Sequence, residues 1–465
     1  MGVSGMCVSL RVSCAMVALV AAAGSAAPAG AETLAEAFAQ AYQYNPQLLA
    51  QRAQLRATDE SVPQALAGWR PTVQFTGSAG KEISQTTQSV NNVGTRTTQY
   101  LTPRTLDLNI TEPVWTSGRT PALIRQAEHN VLSQRAQTVA TEEQVLFSVA
   151  QAFLDVVRDQ ATVQLNINNE QVLRRQLEAT NDRFRVGEVT RTDVAQSESR
   201  VALAVATRVQ AEGNLQVSRS NYQRAVGHLP DRLAQPTERV NLPATRDEAL
   251  ALARAQNPNV IIADYSAKAA EDAVVATRAQ LLPQVSVIGD ANKSDETLIQ
   301  GRNVNSLSLI ARMTVPLYEA GSVYAQTRAA KQTVSQRRDL LDDARRVAIQ
   351  LATRDWETIQ SGRAQVQSLQ STIRAAEIAL EGVRQEAQVG SRTVLDVLNA
   401  EQELFTDRVN LVQAQHDLAV AEFDLAQQVG HLTAEELKLP VQPYDPKRHY
   451  DEVRNKWIGF GSKGQ

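Results

Sequence analysis

TLAEAFAQAYQYNPQLLAQRAQLRATDESVPQALAGWRPTVQFTGSAG, residues 33–80, and TRDEALALARAQNPNVIIADYSAKAAEDAVVATRAQLLPQVSVIGDAN, residues 245–292, align without a gap at an offset of 212. The alignment pairs Thr33 with Thr245, Glu36 with Glu248, Asn45-Pro46 with Asn257-Pro258, Pro71 with Pro283, Val73 with Val285 and Gly77 with Gly289. From Pro113 onward the offset is 203, pairing Pro113/Pro316, Gly118/Gly321, Val186-Gly187/Val389-Gly390, Asp193/Asp396 and Val226-Gly227-His228-Leu229/Val429-Gly430-His431-Leu432. The first half therefore carries nine extra residues, all between Gly80 and Pro113. A repeat this long builds one architecture from two similar units.

Composition narrows what that architecture serves. The 465 residues carry a formal charge of −3, which is no nucleic-acid footprint, since that would need a strongly basic face. Residues 1–31 read as a secretory signal: Arg11, an apolar run over residues 14–27, then Ala29-Gly30-Ala31 before Glu32. Cys7 and Cys14 both fall inside it, so the expected mature chain has no disulfide, no thiol nucleophile and no cysteine near the cleavage site to carry a lipid. Beyond it no run of 18 apolar residues could form a spanning helix. An exported chain of this kind is soluble, peripheral or a β-barrel.

Each half contains two kinds of periodicity. Val73, Phe75 and Ala79 oppose Thr72, Gln74, Thr76 and Ser78, while Leu106, Leu108 and Ile110 oppose Asp107, Asn109 and Thr111. In the second half Val285 and Val287 oppose Gln284 and Ser286, and Leu307, Leu309, Ala311, Met313 and Val315 oppose Ser308, Ile310, Arg312 and Thr314. These four segments predict half-buried strands. An antiparallel sheet packed on helices would satisfy them, and so would a transmembrane barrel with lipid outside and water within. Four strands cannot close a barrel, so the second option requires several protomers.

The remainder predicts helix. Residues 119–185 and 322–388 form two long uninterrupted stretches, each about 100 Å at roughly 1.5 Å per residue. Gly187 and Gly390 end them in the manner of left-handed caps. Shorter helices are expected over 34–68, 194–226, 246–281 and 394–429. Val397, Leu404, Leu411, Leu418, Leu425 and Leu432 recur by sevens, and Leu369, Ile373, Ala376, Leu380 and Val383 by alternating steps of four and three. Such seams specify helices packed side by side.

Taken together, Asn45-Pro46 and Asn257-Pro258, the strand-opening Pro71 and Pro283, Glu112-Pro113-Val114-Trp115 with Val315-Pro316-Leu317-Tyr318, and the two glycine turns resemble TolC-type outer-membrane efflux proteins. The resemblance covers essentially the whole mature chain. It implies an α+β fold with an internal two-fold repeat, in which four transmembrane β-strands per subunit close a trimeric 12-stranded barrel above a long coiled-coil-like α-helical barrel in the periplasm. The expected organisation is a signal peptide over 1–31 and a first repeat over 32–227, with hairpin 71–115, long helix 119–185, tip turn 186–193 and helix 194–226. A connecting equatorial segment, 228–244, leads to a second repeat over 245–430, with hairpin 283–318, long helix 322–388, tip turn 389–396 and helix 394–429. An equatorial segment and tail over 431–465 complete the chain, the tail from Lys447 expected to be disordered.

The resemblance also implies a homotrimer that docks a periplasmic adaptor protein and works with an inner-membrane pump. The two corners, Val186-Gly187 and Val389-Gly390-Ser391, would form the docking tip. Arg392 on one side with Thr192 and Asp193 on the other would hold it closed, and Asp396 would narrow the entrance. Two departures imply a looser or less cation-selective gate: Ala387 stands where some members place tyrosine, and Asn399 occupies a second acidic position. The spacings Thr190-Asp193 and Thr393-Asp396 equally fit capping boxes, in which the acid serves only its own helix. Three copies of Asp396 converging on an axis would raise one another's pKa and attract cations.

Other signals point nowhere. Gly77-Ser78-Ala79-Gly80-Lys81 lacks the first glycine and the final Ser/Thr of a phosphate loop. His129, His228, His416, His431 and His449 show no ligand spacing, so no metal or cofactor is expected, and no local catalytic constellation exists. Trp69, Trp115 and Tyr318 sit at strand or hairpin ends, where an interfacial girdle would put them. The leading expectation is a passive exit duct for small molecules or polypeptides. The alternative is a periplasmic coiled-coil scaffold, whose strands would have their apolar faces covered by helices.

Overall fold

The computed structural model describes residues 31–90, 93–234 and 240–461. Residues 1–30 of the expected signal segment lie outside the described residues. The chain runs α1 (Leu34–Tyr44), α2 (Pro46–Asp59), α3 (Ser61–Leu66), β1 (Thr72–Ala79), β2 (Glu82–Val90), β3 (Val93–Leu101), β4 (Arg104–Trp115), α4 (Arg119–Arg185) and α5 (Arg191–Val226). It continues with α6 (Arg246–Gln256), α7 (Pro258–Arg278), β5 (Gln284–Asp295), β6 (Asn303–Thr314), α8 (Ser322–Gln388), α9 (Val394–Gln428) and α10 (Arg448–Val453).

The two long helices have 67 residues each and the bounds expected. Each starts behind a left-handed glycine, Gly118 at φ +86° and Gly321 at φ +78°, and each ends before another, Gly187 or Gly390. The helices expected over 34–68 and 246–281 are instead broken at Asn45-Pro46 and Asn257-Pro258. Proline disfavours helical geometry in the residue before it, and both asparagines are extended, with ψ near +122°. The same side chain then mends the break twice over. Asn45 Oδ1 accepts from the Gln47 amide at 2.9 Å while Nδ2 donates to the Ala225 carbonyl, at the end of α5, at 3.1 Å. Asn257 does likewise with the Asn259 amide and the Gln428 carbonyl at the end of α9.

Around α4 and α8 the shorter helices pair end to end. α2 and α3 cover one side of the upper half of α4 and α5 its lower half, while α7 and α9 take the other side and also pack on α8. At mid-height α4 is buried almost all round, through Val145, Leu146, Val149, Ala150, Phe153 and Val156. This equatorial core joins α1, the ends of α5 and α9, and the segment carrying Leu432, Ala434 and Leu439. The connection expected to gird the waist of the repeat does so on the second half as well, where Leu242 packs with α6, α8 and α9.

Four strands form one antiparallel sheet in the order β1-β4-β5-β6, and each hairpin returns to the helical side. Its register carries apolar rows, Val73-Ile110-Gly289-Leu309 and Phe75-Leu108-Ala291-Leu307. Between them run polar rows, Gln74-Asn109-Asp290-Ser308 and Thr76-Asp107-Asn292-Ser306. Alternation over these rows gives the middle of the sheet one apolar and one polar face, while the flanking rows Thr72-Thr111-Ile288-Ile310 and Gly77-Leu106-Lys293-Asn305 are mixed. The hairpin expected over 71–115 contains two further strands, because β2 and β3 pair as a separate ribbon beyond the sheet. Apart from Leu101 at its base, which is buried, it is exposed and rich in Thr, Gln and Ser, so it carries no apolar alternation to betray it.

The tail also differs from expectation, being ordered to residue 461. α10 lies along α2 and α4, with Val453 buried, His449 Nδ1 3.2 Å from Asp59 Oδ2 and Arg454 3.2 Å from Glu128.

Within the equatorial stretch of α4, Glu143 is 2% exposed, and one carboxyl oxygen has no hydrogen-bond partner. Burial, reinforced by the neighbouring Glu142, pushes its pKa up to about 9. The folded protein must hold a proton there that the unfolded chain releases at about pH 4.3, so stability is lost as pH rises through that interval. Glu143→Gln should therefore melt higher than the parent at about pH 8, with the advantage shrinking towards about pH 5. Thermal melts across that range check it.

Candidate functional site: the paired helical corners

At the end of α4 the Gly187 amide donates to Phe184 O at 3.0 Å and the Glu188 amide to Arg183 O at 2.9 Å. At the end of α8 the Ser391 amide and hydroxyl both donate to Glu386 O, at 3.0 and 2.9 Å. Left-handed glycines, at φ +81° and +83°, let both chains reverse without a Cβ penalty. Val186 and Val389, one at each bend, point into solvent, as do Gly187, Gly390 and Ser391. The expected docking tip is thus two adjacent exposed corners.

Both capping boxes form. Thr190 donates its amide and hydroxyl to Asp193 Oδ2 at 2.8 and 2.7 Å, and Thr393 does the same to Asp396 at 2.9 and 2.8 Å. Helix α5 consequently begins at Arg191, three residues earlier than expected, and Thr192 and Asp193 lie in its first turn. The backbone and hydroxyl donors of Thr393, with Arg392 adding a smaller attraction, hold the Asp396 carboxyl below the usual carboxylate range. Within one protomer its environment favours the charged form, opposite to the mutual repulsion expected of a ring. Arg392 bonds Glu386 Oε2 of its own corner at 2.9 Å and is exposed. Thr192 is likewise exposed. The protomer does not bring Arg392 together with Thr192 or Asp193.

The corners are joined by residues that sequence reasoning missed. Arg200 of α5 donates to Asn399 Oδ1 of α9 at 3.0 Å, giving the asparagine that replaces an expected acid a definite partner. Beneath it Val394 and Leu398 of α9 pack with Leu173 of α4 and Val201 and Ala204 of α5. Leu398 and Val394 were visible as apolar positions, but which helix they would face was not. Ala387, where the resemblance led one to look for tyrosine, is buried at the end of α8. Among the described residues no group of three or more His, Cys, Asp or Glu side chains could hold a metal ion.

The apolar contact should dominate corner stability. Leu398→Ala should cost about 2–4 kcal/mol locally and speed tryptic cleavage at Arg191 and Arg392, whereas truncation of the half-exposed Leu395 should change little. Timed proteolysis of the two variants distinguishes them.

The family profile described as Outer membrane efflux protein matches residues 37–228 and 249–431, the two halves of the repeat. The chain is 33% identical over 435 residues to the outer membrane efflux protein BepC of Brucella suis biovar 1, covering 92% of each. It is 27% identical over 421 residues to the outer membrane protein TolC of Vibrio cholerae serotype O1, covering 88% of this chain and 92% of that one. Among solved structures its fold resembles CusC, with a TM-score of 0.76 at 18% identity over 86% of this chain and 92% of that one. It also resembles VceC from Vibrio cholerae, with a TM-score of 0.74 at 21% identity over 85% and 96% respectively.

Proposed function

The chain belongs to the outer membrane efflux protein family, and from that premise we propose that it is the exit duct of a tripartite efflux or type I secretion system. It resides in the outer membrane, its helical body extending into the periplasm. The family is one of channels rather than enzymes. In this reading small molecules or polypeptides arrive from an inner-membrane pump through a periplasmic adaptor, and the pump supplies the energy.

The observation that carries the reading is the sheet. Leu307 is 86% exposed, Leu309 79% and Phe75 67%, so no helix covers the apolar face. That counts against the scaffold, which needs the face covered. β1 and β6 each pair on one side only, and they run in opposite directions, so β6 of one copy can add antiparallel to β1 of the next. Three copies then close twelve strands, with apolar rows towards lipid and polar rows lining water. The helices support the same assembly. In the protomer α8 leaves Tyr324, Leu340, Val347 and Ile378 exposed, and α5 exposes Leu203, Val209 and Val217. These seams would meet between neighbours.

At the distal end Val186, Gly187, Val389, Gly390 and Ser391 would meet the adaptor. Thr192, Asp193, Arg392, Asp396 and Asn399 would close the entrance through contacts between protomers, with Arg200–Asn399 as the link inside each. In planar bilayers the oligomer should show a small single-channel conductance that rises several-fold in Arg392→Ser plus Asp193→Ala. Well-folded oligomer that yields no channels in either form would sink the duct.

A further inference from the structure

The tail beyond α10 reaches the residue that leads into the sheet. Beyond α10 the chain runs along α2 and α4 towards the sheet. Tyr450 packs with Val62, Ala127 and Val131. Arg70, two residues before β1, donates to the Lys456 carbonyl at 2.8 Å, and its guanidinium lies 4.9 Å from the centre of the Trp457 ring. Trp457 is thereby held beside the residue that leads into the first strand, at the helix-side rim of the sheet.

From Trp457 onward the loop is apolar and uncovered. Trp457 is 66% exposed, Ile458 90%, and Phe460 fully. Gly459, at φ +121°, turns the chain between them, and Lys456 Nζ reaches forward to the Gly461 carbonyl. Three large apolar side chains within four residues thus stand on a loop that is pinned at its base. Trp115, at the end of β4, and Leu317 and Tyr318, just past β6, are likewise exposed on the helical side of the sheet. Arg70 and Lys456 stand at its base, and next to them Arg454 is ion-paired with Glu128. Aromatic rings with an apolar body, flanked by cations whose stems can extend to phosphates, suit the boundary between acyl chains and headgroups.

We propose that Trp457, Ile458 and Phe460 form an anchor that inserts into the periplasmic leaflet of the outer membrane, with phospholipid as its ligand. The inference rests on the membrane placement of the sheet given above. The anchor would lie outside the barrel wall and fix the depth at which the helical body meets the bilayer.

Replacing Trp69, Trp115 and Trp356 by Phe leaves Trp457 as the sole tryptophan of the full-length oligomer. This variant would be placed in vesicles of phosphatidylethanolamine and phosphatidylglycerol, with part of the lipid brominated near the headgroup end of the acyl chain. A companion carrying Phe75→Trp with Trp457→Phe in the same background reports the strand face. The expected result is blue-shifted Trp457 emission that is lost in brominated lipid, together with quenching of the companion. A quenched companion beside a red-shifted Trp457 that only aqueous iodide quenches would overturn the anchor and leave the barrel standing. Blue-shifted Trp457 emission indifferent to bromine would also overturn it, showing a protein cover instead. Quenching of neither would remove the membrane reading and the anchor with it.

Discussion

A backbone amide or carbonyl inside hydrocarbon has no water to turn to, and a sheet of four strands leaves two full rows of such groups unpaired. The outer face of this sheet cannot stay in water and its edges cannot stay in lipid. Addition of like sheets edge to edge, until no edge remains, answers both demands. In the proposed assembly the polar rows would then face inside, with the strand ends that the hairpins already bring to one side forming its rim. The helices would then continue the same cylinder, because every strand-to-helix connection leaves from that side of the sheet.

Continuing the cylinder requires shorter helices to fill beside each long one without gaps. The Asn-Pro steps make this possible. A proline cannot follow a helical residue comfortably, so the first helix of each half stops and restarts with a changed direction. The asparagine at the break caps the restarted helix and holds the last turn of the helix arriving from the tip. Two ends that would otherwise leave unmet backbone groups are joined by one amide side chain. The waist is therefore both where the short helices meet and where the apolar core is thickest.

Much of this was legible because duplication and period are properties of sequence. The long helices announce their limits through Gly118, Gly187, Gly321 and Gly390, and the four sheet strands through alternation. What escaped was of two kinds. The β2–β3 ribbon, wet apart from Leu101 at its base, has no period-two signal, and only the nine extra residues hinted that something stood there. The tail looks unpatterned because His449, Tyr450, Arg454 and Trp457 each meet neighbours far away in sequence. At the corners the capping spacings were readable, since they are local. The Arg200–Asn399 bond and the packing of Leu398 depend on how two repeats lie against each other, which no local spacing encodes.

Helix α4 crosses the waist without a break; it is buried almost all round there, and below it runs flanked by α5 and α9. From Val156 to Arg185 it projects as a stiff arm of about 45 Å, at roughly 1.5 Å per residue. No glycine interrupts that span, so the arm has no joint of its own. Each degree of tilt at the waist then sweeps the corner sideways by about 0.8 Å, with the waist as fulcrum. A few degrees suffice to move a corner by the width of a side chain, and because the helix is unbroken its strand-side end swings the opposite way by a similar distance.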